Sequence, residues 1–316
     1  MTQTTKEIFE KHEVRKTKEQ KNSFREYLSS LARERGFNVS TEKAAGGASN
    51  VIIGNPEEAK VIYTAHYDTC AAMPIPNFIT PKCIPLYILY QLFLTTVIYI
   101  IPFLLMSSSK AILEATDSDA LFFLALLGGY ALLILFTCLM MVGPANKHTA
   151  NDNTSGVTLL IDIMCELPDE LRDEVAFIFF DLEELGTLGS MGYKKLHPKV
   201  AKEKLIINFD CVSDGENILF VPRKEAHNMS DKLNEAFHPE GKYEGKFSVE
   251  ITTKGVFYPS DQANFNRGVG VAALKKSKHG LLYMNRIHTK RDTVYVEENI
   301  EFLKDGALKL ARLLSE

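Results

Sequence analysis

The chain of 316 residues has no CxxC pair, and its five cysteines, Cys70, Cys83, Cys138, Cys165 and Cys211, are odd in number and scattered. That pattern argues against a disulfide framework and suits free thiols in a reducing compartment. It also has no basic stripe. Its 36 lysines and arginines are set against 40 aspartates and glutamates, a formal net charge of -4. Nothing here would neutralise a phosphate backbone, so nucleic acid is not an expected partner. The first twenty residues, MTQTTKEIFEKHEVRKTKEQ, lack the apolar core of a cleaved signal peptide, and export by that route is not expected. Internal repeats and low-complexity linkers are missing too. With 46% hydrophobic residues, one large domain or two small ones can form a core.

What is present is a set of apolar runs that end in polar, chemistry-bearing residues. VAFIFF, from Val175, stops at Asp181 and the adjacent pair Glu183 and Glu184; VIYTA delivers His66 and Asp68; LIINF delivers Asp210. Runs of this length and uniformity predict strands buried on both faces. In open α/β sheets, functional groups collect beyond the carboxyl ends of parallel strands, so these termini can converge although distant in sequence.

Helical patterns alternate with the runs. Phe24, Tyr27, Leu28 and Leu31 predict an amphipathic helix over Ser23 to Gly36, and Asn153, Thr154 or Ser155 can cap a helix starting just after Asp152. Further helices are expected over Gly189 to Leu196, Glu225 to Phe237 and Val296 to Leu314, with a short strand at Ile218 to Val221. The alternation predicts an α/β fold with a mainly parallel, mixed central sheet flanked by helices.

Two segments interrupt this order. Ile84 to Met106 and Ala120 to Gly143 carry no charged residue and are long enough as helices to cross a hydrocarbon layer of roughly 30 Å. They predict an inserted transmembrane hairpin over residues 84–143, in contact with the lipid bilayer, between the parts 1–83 and 144–316 of one discontinuous domain. SSSKAILEATDSD (107–119) is read as the polar turn between the spans, and Pro85 and Pro102 fall near the ends of the first. Lys82 and Lys147 flank the hairpin on the domain side, whereas the turn has Lys110 against Glu114, Asp117 and Asp119. That bias, with the free thiols, predicts an integral membrane protein whose catalytic domain faces the cytoplasm.

Each short motif has a bland reading alone. An HxD triplet is weak, a Glu-Glu pair after a strand is more often a solvated turn, and an aspartate before a helix is usually a cap. His148, His197, His227 and His279 lack any matching context and are assigned no role. The ordered set is what carries meaning. AHYDT (65–69), ANDNTSGV (150–157), FFDLEELGTLGSMGY (179–193), NFDCVSDG (208–215) and HTKRDT (288–293) together resemble the M28 family of zinc metallopeptidases. The resemblance spans about residues 50 to 316 apart from the hairpin.

The resemblance implies removal of residues from peptide termini, most often as an aminopeptidase, with two zinc ions per chain. It implies that Asp152 bridges the metals, that His66 and Asp210 complete one site and Glu184 and His288 the other, that Glu183 is the general acid/base, and that Asp68 orients His66. This donor set is chemically apt, since zinc favours imidazole and carboxylate, and a carboxylate beside a ligating histidine fixes its ring. The sequence departs from the pattern at YPSDQANF, where Gln262 stands in the place commonly held by histidine. Two other readings stay open: a glutaminyl-cyclase-like transferase, and a membrane scaffold that kept the fold without catalysis.

Overall fold

Four apolar runs lie side by side at the centre of the computed structural model, which describes residues 1–316. The strands are β1 (Val39–Lys43), β2 (Ser49–Ile53), β3 (Val61–His66), β4 (Val175–Phe180), β5 (Leu205–Phe209), β6 (Asn217–Pro222), β7 (Ser248–Ile251), β8 (Gly268–Lys276) and β9 (Leu282–Tyr283). They form one sheet in the order β1-β2-β4-β3-β5-β8-β6-β7, with β9 beside β8. The central pairs β4/β3, β3/β5 and β5/β8 are parallel, while β1/β2, β2/β4 and β6/β8 are antiparallel. The expected mixed, helix-flanked sheet is therefore the one observed, parallel at its centre and flanked on both sides by antiparallel pairs.

The helices are α1 (Gln3–Lys11), α2 (Lys18–Glu34), α3 (Ile84–Thr116), α4 (Asp119–Val142), α5 (Gly156–Glu166), α6 (Leu188–Leu196), α7 (Pro198–Glu203), α8 (Ser230–Ala236) and α9 (Glu297–Ser315). Strand pleating divides the core between the two faces. Val175, Phe177 and Phe179 of β4, with Val61, Tyr63 and Ala65 of β3, pack in one cluster with Phe24 and Leu28 of α2, Leu160 of α5 and Leu303 of α9. The intervening Ala176, Ile178, Phe180 and Ile62 join Tyr193 of α6 and Val200 of α7 on the other face. Both faces are covered, which is why these runs contain no polar alternation. A buried Phe or Leu of this kind contributes roughly 1.5–3 kcal/mol.

Several boundaries differ from expectation. α2 starts at Lys18, because Thr17 and Gln20 form a reciprocal capping box that lies outside the apolar periodicity. The stretch expected as one helix is a 3-10 helix over Lys224–Met229 that runs into the shorter α8. The largest correction concerns the polar turn. Residues 107–116 continue α3, leaving only Asp117 and Ser118 to connect it to α4. Ser107, Ser108 and Ser109 donate to the carbonyls of Leu104, Leu105 and Met106, satisfying their hydroxyls without leaving the helix. Pro102 consequently sits inside α3 rather than near its end.

α3 and α4 pack along each other. Gly129 permits the contact, since a Cβ there would lie 2.3 Å from Met106 Cγ and 3.0 Å from the Pro102 carbonyl. Tyr99 Oη and Thr137 Oγ1 are 3.1 Å apart across the same seam. Both helices are long and apolar enough to cross a membrane. They are not core helices: Leu124 and Val142 are 69% and 68% exposed, and most of their large apolar side chains are similarly bare. The hairpin docks on the sheet domain through its two ends: Tyr87 of α3 packs on Phe257 and Tyr90 Oη donates to the Pro76 carbonyl at 2.6 Å, and the Met141 carbonyl at the end of α4 accepts from Lys16 Nζ at 3.1 Å.

Candidate metal centre

Parallel register brings the ends of three strands together. His66 closes β3, the segment Asp181 to Glu184 follows β4, and Asp210 follows β5, all at the same sheet edge. Asp152 enters from the wide turn 150–155 that leads into α5, where Asn153 Oδ1 accepts from Gly156 N and also from Cys211 N. His288 comes from the loop after β9.

His66, Asp152, Glu183, Glu184, Asp210 and His288, singled out in the sequence, all meet here, with Asp68 beside them. His66 Nε2 lies 3.4 Å from Asp152 Oδ1 and 3.4 Å from Asp210 Oδ1. His288 Nε2 lies 3.0 Å from Asp152 Oδ2 and 3.2 Å from Glu184 Oε2. The two Asp152 oxygens thus face different histidines. Asp68 does more than stand beside His66, from which its Oδ1 is 3.6 Å away. Its two oxygens accept the backbone N–H groups of Glu183 and Glu184 at 3.0 and 3.2 Å, clamping the turn that carries both glutamates.

The backbone is locally unfavourable at the same places. Leu182, Cys211 and His288 adopt left-handed φ values of 57, 58 and 62°. Such conformations cost a non-glycine residue on the order of 1–3 kcal/mol each, and they persist where surrounding contacts enforce them. Here they turn Glu183 and the chain after Asp210 sharply away from the strand axes.

The electrostatics show a surplus of buried acid. Burial raises the Glu183 carboxyl well above the usual carboxylate range, and Asp210, Asp261 and Glu184 add to the effect against the opposing pull of His66. Glu184 is pushed up to about 8, mainly by burial. Burial opposes charge on both histidines, yet the facing carboxylates outweigh it, raising His66 well above its ordinary value and His288 to about 9. Burial likewise opposes ionisation of Asp152, but His288 and His66 hold it well below the usual range.

Donor chemistry supports a metal here. Glu184 Oε1 is buried without any hydrogen-bond partner, and so is Asp210 Oδ1, which its neighbour His66 approaches but is not aligned to bond. Orphaned buried carboxylate oxygens are costly unless a cation completes them. Two groups have donor atoms within 4.8 Å of one another: His66, Asp152 and Asp210, and Glu184, His288 and Cys70. Imidazole and carboxylate oxygen are the donors zinc takes.

Sequence reasoning overlooked four neighbours. The Cys70 thiol borders Glu184 and His288. Asp292, in the HTKRDT segment, accepts the N–H groups of Asn151 and Asp152 at 2.9 and 3.0 Å. Asp261 has one oxygen buried without a partner, and burial pushes its carboxyl to about 7. Arg15, fully buried, donates through Nε to the Tyr67 carbonyl at 2.6 Å and through Nη2 to Thr154 at 3.1 Å. The aspartates stood inside motifs already noted; Arg15 gave no signal, since a lone arginine between two helices reads as surface. Gln262 is buried and structural. Its amide donates to the Tyr258 carbonyl at 2.7 Å and its Oε1 accepts from Asn208 at 3.1 Å.

A cleft of about 480 Å³ opens onto the centre, with Asp68 and Glu184 on one wall and Met141 and Val142, the last residues of α4, on another. The site therefore shares its mouth with the root of the apolar hairpin.

Among curated proteins, none matches the chain in sequence. Solved structures do match its fold. An aminopeptidase from Legionella pneumophila, LapA, is 14% identical and covers 99% of this chain and 71% of its own, with a TM-score of 0.56. A Zn-dependent exopeptidase from Parabacteroides distasonis is 16% identical, covers 97% of both chains and has a TM-score of 0.56. A glutaminyl cyclase from Porphyromonas gingivalis is 15% identical, covers 98% and 95%, and has a TM-score of 0.58. The profile of Peptidase family M28 matches residues 137–304, more than half of the chain and four of the five motifs. With its helix-flanked mixed sheet and its cluster of acidic and histidine donors, the chain belongs to peptidase family M28.

Proposed function

We propose that the chain is a membrane-anchored aminopeptidase that works with two zinc ions. The observation that carries this reading is the shared Asp152 carboxylate, whose oxygens lie 3.4 Å from His66 and 3.0 Å from His288. In it, His66, Asp152 and Asp210 would hold one ion, and Asp152, Glu184 and His288 the other. Zinc bound there would polarise a peptide carbonyl and lower the pKa of water. Asp292 and Asp68 hold the backbones of Asp152 and of the two glutamates. Glu183, as the carboxylate, takes a proton from the attacking water and returns it to the amine nitrogen as the C–N bond breaks.

Residues 1–83 and 144–316 form the catalytic unit in this reading, and residues 84–143 cross the bilayer, with the catalytic unit on the cytoplasmic side. Because Met141 and Val142 wall the cleft, hydrophobic peptides at the membrane surface are the favoured substrates. The alternative with most support is glutaminyl cyclisation, since cyclases share the fold at the same similarity. Metal content and amino-acid release from free and amino-blocked peptides, including peptides that begin with glutamine, separate the two. Release from unblocked peptides supports the peptidase; ring closure of terminal glutamine without release supports the cyclase; a metal-free, inert protein leaves a scaffold.

A further inference from the structure

Two further clefts meet at the base of the hairpin, beside the mouth of the metal centre, with Ala145 lining both that mouth and one of them. One, of about 340 Å³, is apolar and lies between α3, α4 and the loop bearing Met73 and Pro74. Leu94, Ile101 and Phe136 help line it, so it runs along the two exposed helices. The other, of about 670 Å³, opens from the same Met73 and Pro74 and is lined by Lys147, Lys290 and Arg291. Lys16, on the wall of the metal-centre cleft, has its Nζ 3.1 Å from the Met141 carbonyl at the end of α4.

These cations are unspent. Lys147 and Lys290 make no side-chain hydrogen bond, Lys16 and Arg291 donate only to backbone carbonyls, and none has a carboxylate within 4.0 Å. Lys246, Lys304 and Lys309 are paired with acids, whereas Lys194, Lys195 and Lys199 are as free; what sets Lys147, Lys290 and Arg291 apart is that they converge on one cleft. The level in the bilayer is marked independently. Two aromatic pairs, Phe257 (46% exposed) with Tyr87 and Phe78 with Tyr90, stand around the first turns of α3, the position that interfacial aromatics take.

We infer that this joined pair of clefts is a binding site for one anionic phospholipid, its phosphate among Lys147, Lys290 and Arg291 and an acyl chain in the groove between α3 and α4. Charge complementarity selects the anionic lipid over a zwitterionic one, and the continuity of the basic cleft with an apolar groove selects a lipid over a free anion. The site would also steady one half of the metal centre: Met73 donates its N–H to the His288 carbonyl at 2.8 Å, and Lys290 and Arg291 follow His288 directly. The inference rests on the membrane-anchored reading above.

The test uses the full chain, mixed with vesicles of phosphatidylcholine alone or with phosphatidylglycerol, floated, then extracted and purified in detergent, with retained lipid counted by mass spectrometry. At about 1 kcal/mol per interfacial cation, and 1.4 kcal/mol per tenfold, the wild type should retain phosphatidylglycerol over phosphatidylcholine by on the order of tenfold or more. Lys147→Gln/Lys290→Gln/Arg291→Gln should abolish the preference. Charge-keeping Lys147→Arg/Lys290→Arg/Arg291→Lys, and a Lys194→Gln/Lys195→Gln/Lys199→Gln control on α6 and α7, should preserve it. Equal retention of both lipids by a wild type that floats overturns the lipid site and leaves membrane anchorage standing; failure to float overturns both. Displacement of the lipid by soluble glycerophosphate at equal concentration overturns the lipid assignment in favour of a free-phosphate site.

Discussion

The Asp292 carboxylate accepts the backbone N–H of Asp152 at 3.0 Å, so the residue that faces both histidines is held from behind by a second acid. That acid also accepts from Asn151, and its own carboxyl is pushed up to about 7 by burial and by the charge on Asp152. Removing a partner of this kind from a metal site typically costs 10–100-fold in affinity. Asp292→Ala is therefore expected to bind zinc about 10–100-fold more weakly, by competition with a chromogenic chelator, while its circular dichroism spectrum stays that of the wild type. Unchanged affinity would remove Asp292 from the positioning of Asp152.

Unlike Asp68, Asp152, Asp210 and Glu184, Glu183 has no histidine nitrogen within ion-pair distance, although its backbone is fixed by Asp68. Glu183→Gln should keep the wild-type metal content and lose about 100 to 10,000-fold in kcat. Turnover near that of the wild type would show that another group moves the proton.

Gly129 sets how closely the hairpin helices approach, because a side chain there meets the Pro102 carbonyl as well as Met106. Gly129→Leu should destabilise the hairpin by about 1–3 kcal/mol through overpacking, seen as a lower melting temperature in detergent. Gly128→Leu, where the added Cβ would meet only Leu105 at 3.5 Å, should change it less. Equal melting temperatures for both variants would contradict the seam described here.

Asp162 in α5 is buried and accepts from Thr2 Oγ1 at 3.2 Å, and burial pushes its carboxyl from 3.8 up to about 6. A folded acid with a raised pKa binds its proton more tightly than the unfolded chain does. Its contribution is thus most favourable below pH 3.8 and declines as pH rises to about 6. The gap, at 1.36 kcal/mol per pH unit, sets a ceiling of about 3 kcal/mol. Asp162→Asn should stabilise the protein by about 1–3 kcal/mol at neutral pH and by little near pH 4. Unfolding by denaturant at both pH values measures this, and a gain of the same size at both would refute the assignment.

Much of the centre was legible because its donors sit where uninterrupted apolar runs stop. Burial on both faces is a local property of composition, so β3, β4 and β5 could be read directly, and with them His66, Glu183, Glu184 and Asp210. Strand β8 was not legible. Gly268 and Gly270 dilute its pattern, and they are there because a Cβ at either would collide with Gln262, a contact made only in the folded state.

Amino-acid sequence alone determined the α/β class, the two long apolar segments and the six residues of the centre, since each follows from short-range periodicity or an ordered motif. Tertiary structure decided which groups support them: Asp292 behind Asp152, Asp68 beneath the glutamates, Arg15 beside Tyr67, and Met141 at the mouth of the cleft. It also decided that α3 runs on through its serines to Thr116. Those outcomes depend on contacts between segments far apart in the chain, and their geometry exists only once the parallel strands have brought the segments to one edge of the sheet.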